Sequence, residues 1–220
     1  MESRSFAQGI PTDPAERNDC GKPKEGVRRI FDGIEAVCFD AFGTLVEIED
    51  KRGAFRVLLK ALSLDKRREL KNRLMRETRP LMDWPEALGV DVAPDTLLEV
   101  RELVSIECSS IALRSGMAGI WARLRREELR LAICSNLASD YVAALQNALP
   151  DRPEVEVFSC RVGAIKPEPA IYAHVLQGLG VAPNKVLFVG DTLHADINGP
   201  RRAGMNATRV DAFTGVVHAD

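Results

Sequence analysis

Five residues able to do chemistry fall at the ends of short apolar runs or just after them. Asp40 closes AVCFD (36–40), Ser135 closes LRLAICS (129–135) with Asn136 next, and Asp191 closes KVLFVGD (185–191). Asp196 follows five places on, in GDTLHAD, and Lys166 stands in GAIKPEP, ahead of a helix that Pro169 opens. Carboxylates gathered from strand ends repel one another, and burial raises their pKa unless a cation intervenes. A hard divalent ion with oxygen ligands, Mg²⁺ by availability, meets that need. Lys166 adds a second positive charge and Ser135 a hydroxyl donor. Around an anionic carboxylate able to attack, these groups make a pocket suited to a phosphoryl group.

The runs that carry these residues are short, apolar and β-branched, as buried parallel strands are. VEVFSC (155–160) and ATRVD (207–211) complete the set, and helical patterns at 138–149, 169–179 and 196–203 separate the later ones. Strands alternating with helices predict an α/β fold with a parallel sheet, which binds ligands at the C-terminal edge of its strands. The stretch 51–115 is different and holds no strand-like run. Phe55, Leu58, Leu59 and Leu62 keep a helical rhythm, as do Leu97, Val100, Val104, Cys108 and Ile111. A second helix, 64–77, is crowded with Lys and Arg and reads as a solvated face, and the proline-broken stretch 78–94 reads as a connector. A helical lobe is therefore expected between the first and second strands. Trp84 reads as packing between its helices and Trp121 as core.

The chain has 220 residues and a formal charge of −2, which argues for neither a nucleic-acid nor a membrane partner. No window approaches the ~20 apolar residues that span a bilayer. Residues 1–29 are polar and rich in Pro, Gly and charge, and read as a flexible leader without a secretion signal. Five cysteines without a CxxC indicate neither a disulfide framework nor a zinc site, and a cytoplasmic protein is expected.

With all four segments in order, the chain resembles the haloacid dehalogenase-like hydrolase superfamily, in the branch with a helical cap. FDAFGTL is similar to that family's first motif, ICSN to the second, IKPEPAIY to the third and FVGDTLHAD to the fourth. The resemblance implies a Rossmann-like core, 30–46 and 116–220, with an inserted α-helical cap, 47–115, hinged near 46–50 and 114–117. It implies catalysis through a covalent aspartyl ester, with Asp40 as nucleophile and Ser135 and Lys166 holding the transferred group. Thr44 and Asn136 would bind substrate. Asp40, Asp191, Asp196 and the main-chain carbonyl of Phe42 would hold Mg²⁺, and the substrate would be small and anionic.

Phe42 departs from that pattern. Family phosphatases usually carry a second Asp two places after the nucleophile, as general acid and base, which contributes about 10²–10⁴-fold in rate. The family's 2-haloacid dehalogenases commonly carry an aromatic residue there, since halide leaves without a proton. Those enzymes use no metal, however, and tend to have Ser-Ser-Asn where this chain has Val189, Gly190 and Asp191. The retained acids favour an Mg²⁺-dependent phosphatase acting on a small phosphate ester or acyl phosphate. The alternatives are a metal-independent 2-haloacid dehalogenase and a non-catalytic phosphate-binding member of the family. His194 reads as an exposed loop residue rather than a substitute acid.

Overall fold

The structure, a computed structural model, describes residues 31–217. The leader expected at 1–29 lies outside the described residues. Five parallel strands form the central sheet in the order β5-β4-β1-β6-β7. They are β1 (Ala36–Phe39), β4 (Arg130–Ser135), β5 (Val155–Phe158), β6 (Val186–Gly190) and β7 (Asn206–Arg209). These are the five runs expected from the sequence. The three central strands, β4, β1 and β6, are covered on both faces, which is why their runs are apolar rather than alternating, whereas the edge strands β5 and β7 carry Glu156 and Arg209. In β1, Val37 and Phe39 enter one core cluster while Ala36 and Cys38 enter the other. Phe39 stacks on Trp121 with ring centroids 6.2 Å apart, so Trp121 is core as expected.

Strand order reverses at β1. The chain passes from β1 to β4 and β5 on one side, then returns to β6 and β7 on the other. Crevices at such reversals are where parallel sheets bind ligands. The three strands that meet there, β4, β1 and β6, carry Ser135, Asp40 and Asp191 at or just past their C-terminal ends.

A helical insert leaves and re-enters the core through a small antiparallel ribbon. Its strands are β2 (Val46–Ile48) and β3 (Ile111–Leu113), with Val46 opposite Leu113. Neither strand was expected, and β3 corrects the reading that 51–115 is free of strands. Three residues carry too little pattern to separate Ile111 from the helical rhythm that precedes it. The insert holds α1 (Ala54–Ala61), α2 (Leu64–Arg73), α3 (Trp84–Leu88) and α4 (Pro94–Ser109). Helix α2 ends at Arg73, short of the expected 77, and continues as turns. The expected connector 78–94 contains a 3₁₀ turn, Leu81–Asp83, and α3, where Pro85 occupies the first turn that tolerates proline.

The basic residues around α2 are not simply solvated. Arg73 bonds Glu69 and Glu77, and the Arg73 and Arg79 guanidiniums each lie 5.4 Å from the Trp84 ring centroid. Trp84 is fully buried there and packs as expected. In the core follow α5 (Met117–Arg126), α6 (Val142–Ala148), α7 (Ser159–Val162) and α8 (Pro169–Leu179). The helix expected at 138–149 begins as a 3₁₀ turn, Ser139–Tyr141. The one expected at 196–203 is a π-helical turn, Leu193–Asn198, running into the short α9 (Gly199–Arg202). No helix among the described residues is long and apolar enough to cross a membrane.

Candidate active site

Asp40 leaves β1 with its amide still in the sheet ladder, donating to Val189 O at 2.9 Å. Its side chain is therefore fixed by the strand rather than by a loop. Lys166 reaches it from the segment between α7 and α8. The ammonium donates to Asp40 Oδ1 at 2.6 Å and to Asp196 Oδ1 at 2.7 Å, and all three side chains are less than a tenth exposed. Thr44, wholly buried, donates to Asp40 Oδ2 at a looser 3.3 Å. Burial pushes the Asp40 carboxyl above its ordinary value; Lys166 opposes the shift and Asp196 adds to it. Burial alone would lower Lys166, but the Asp40 and Asp196 carboxylates outweigh it and hold the ammonium above its usual range. The lysine is charged at any physiological pH.

Asp191 completes the cluster. One carboxylate oxygen each from Asp40, Asp191 and Asp196 lies within 4.8 Å of the others. Two glycines make that packing feasible. A Cβ on Gly43, which has φ +84°, would stand 2.4 Å from Asp191 Oδ2, and one on Gly190 would stand 2.3 Å from Asp196 Cβ. Asp196 is itself anchored, because the Thr192 amide donates to its Oδ2 at 2.9 Å. Three carboxylates that bring one oxygen each this close suit an oxygen-loving divalent ion. Phe42, expected to offer its main-chain carbonyl, lies on the same loop. With Gly43, Lys51 and Asp191 it lines an open cavity of about 400 Å³.

Ser135 is buried at the end of β4. Its neighbour Asn136 faces the Lys166 main chain: Nδ2 donates to Lys166 O at 3.0 Å, and Oδ1 accepts from Lys166 N at 2.7 Å. Asn136 thus positions Lys166, a contact the sequence did not suggest. His194 is exposed, as expected.

Several residues that shape the site were not anticipated. Arg114 donates to Gly43 O at 2.5 Å and fixes the loop after Asp40. Arg76 of the insert donates to both oxygens of Glu168, two places after Lys166. Glu107, on α4, is almost wholly buried and accepts from the main-chain amides of Arg52 and Gly53 and from the Tyr141 hydroxyl. A buried carboxylate needs such donors to stay in place. Tyr141 in turn meets Phe42 edge to face at 6.4 Å and Phe55 at 6.1 Å, so Glu107 ties the insert to the ring beside Asp40. The sequence held one signal for Glu107: an acid three places after Val104, on the helix's apolar face.

Comparison with known proteins finds relatives along most of the chain. Protein CbbY of Cereibacter sphaeroides is 30% identical over 207 residues, covering 83% of this chain and 89% of its own length. The (S)-2-haloacid dehalogenase of Xanthobacter autotrophicus is 29% identical over 196 residues, covering 80% and 75% respectively. The crystal structure of CbbY from Rhodobacter sphaeroides in complex with phosphate matches the fold with a TM-score of 0.53 at 24% identity, covering 80% of this chain and 85% of that one. The family model described as haloacid dehalogenase-like hydrolase matches residues 34–204, from the residues that lead into β1 to the turn before β7. The chain therefore belongs to the haloacid dehalogenase-like hydrolases.

Proposed function

We propose that this hydrolase is an Mg²⁺-dependent phosphatase acting through a covalent aspartyl phosphate. The observation that carries the reading is the set of three carboxylates, Asp40, Asp191 and Asp196, converging beside the Lys166 ammonium. Asp40, Asp191, Asp196 and the Phe42 carbonyl would hold the ion. When bound, Mg²⁺ supplies positive charge that offsets the approach of two anions, the carboxylate and the phosphate ester.

In this scheme Asp40 Oδ2, which takes the long Thr44 bond, attacks phosphorus while Oδ1 stays on Lys166. The bond from phosphorus to the ester oxygen breaks, and the leaving group takes its electrons. Lys166 and Ser135 hold the phosphoryl oxygens. Water then attacks phosphorus and loses a proton to solvent while the bond from Asp40 to phosphorus breaks, yielding inorganic phosphate and the free Asp40 carboxylate. Phe42 brings no proton, so leaving groups stable as anions, such as phenolates and carboxylates, react best. Residues 47–115 act as a cap that excludes water and selects substrate. The four described cysteines are free thiols, which supports a cytoplasmic location.

The activity is tested by hydrolysis of p-nitrophenyl phosphate and acetyl phosphate with Mg²⁺ and with EDTA. Turnover that requires Mg²⁺ is expected. A second reading, 2-haloacid dehalogenase, draws support from Phe42 and its aromatic contact with Tyr141. Chloride release from 2-chloropropionate in EDTA, without phosphatase turnover, would establish it in place of the first.

A further inference from the structure

A second open cavity, of about 210 Å³, is lined by Phe42, Ile48, Phe55, Leu74, Leu137 and Tyr141, with Met75 and Ala138 at its edge. It shares Phe42 and Ile48 with the cavity that Asp191 and Gly43 line, and Asn136, which clasps Lys166, is also in its wall. The wall draws on both bodies of the protein, with Phe55 and Leu74 from the insert and Leu137 and Tyr141 from the core. Its polar side chains are already engaged. Asn136 clasps the Lys166 main chain with both ends of its amide, and the Tyr141 hydroxyl donates to Glu107. The rest of the wall is apolar, so little in it recognises a sugar hydroxyl or a second charge. A site of that kind favours an apolar occupant, because a polar one loses its water without gaining partners.

Size narrows the choice. A dry apolar cavity of ~150 Å³ accepts benzene, so this one has room for a single ring with a small substituent. The missing proton donor at Phe42 points the same way, since a phenolate leaves without one. We infer that the organic part of the substrate is a compact, uncharged aromatic ring, carried as an aryl phosphate and seated in this cavity. The inference rests on the phosphatase reading above.

Phosphonates test it without turnover. Calorimetry in Mg²⁺ compares phenylphosphonate with methylphosphonate, which share the anionic head and differ in the ring. Phenylphosphonate should bind about 10- to 100-fold more tightly, the ratio that burying one phenyl group supports. Ala138→Leu, which fills the wall from the core side, and Met75→Asp, which charges the half-exposed rim, should each shrink that ratio at least fivefold. A wild-type ratio below threefold overturns the inference, as does a ratio that neither variant alters. Mg²⁺-dependent hydrolysis of p-nitrophenyl phosphate would leave the phosphatase reading standing in either case. Failure of both phosphonates to bind removes the phosphoryl site and the inference together.

Discussion

Lys166→Met and Asp40→Asn should both abolish activity yet move stability in opposite directions. Three carboxylates and one ammonium give the site a net charge of minus two. Lys166→Met takes it to minus three and strips Asp40 and Asp196 of the partner that each holds within 2.7 Å. Removing one member of a buried ion pair costs about 3–5 kcal/mol. For a chain of this length that is a fall in Tm of roughly 6–20 °C. Asp40→Asn takes the site to minus one. Burial already holds the Asp40 carboxyl above its ordinary value, so its charge is a burden on the fold, and Lys166 keeps Asp196. That variant should melt at or above the wild type. Thermal unfolding in EDTA measures both. Added Mg²⁺ should then raise the wild-type Tm by ~3–6 °C at ten times its Kd, equivalent to ~1.4 kcal/mol. If Lys166→Met melts within 2 °C of wild type, or Asp40→Asn falls as far as Lys166→Met, the ion network does not balance the site as argued.

Other outcomes follow from single contacts. Gly43→Ala should weaken Mg²⁺ binding at least tenfold by calorimetry, because its Cβ would meet Asp191 Oδ2 at a backbone φ of +84°. Phe42→Asp restores an acid two places after Asp40 and should raise kcat/KM for alkyl phosphates by a factor on the order of 10²; a fall would count against the missing-acid argument. Burial raises Cys38 and pushes Cys134 up to about 12. At pH 8 only ~10⁻⁴ of Cys134 is thiolate. Iodoacetamide should therefore modify neither residue in the native protein, and peptide mass spectrometry should find them labelled only after unfolding or as pH rises toward 12.

The core was legible because its strands are buried on both faces. An apolar run such as Val186–Gly190 admits no competing helical reading when a Gly-Asp pair ends it. Asp40 and Asp191 end such runs and Asp196 follows five places on; a lone acid there is more often a cap or turn residue, and it was the ordered set with Ser135 and Lys166 that pointed to chemistry. The insert was harder. Its helices α1 and α4 show an apolar rhythm, but β2 and β3 are three residues each and exist through pairing with one another, a long-range contact that no local pattern records. Arg76 illustrates the same gap. In sequence it is one more cation in a basic run, and only the fold brings it to Glu168. Asn136 was found, but not its hold on Lys166, since its side chain is matched to a main chain 30 residues away.

That match has a mechanical result. By offering both a carbonyl and an amide to Lys166, the Asn136 side chain imitates one more rung of strand pairing, between the tip of β4 and a segment that is not a strand. The false rung splices a connecting loop onto the stiffest part of the molecule. Hydroxyl and ammonium then travel as one jaw. Were the insert to swing to admit a reactant, the spacing between Ser135 and Lys166 would stay set by the sheet.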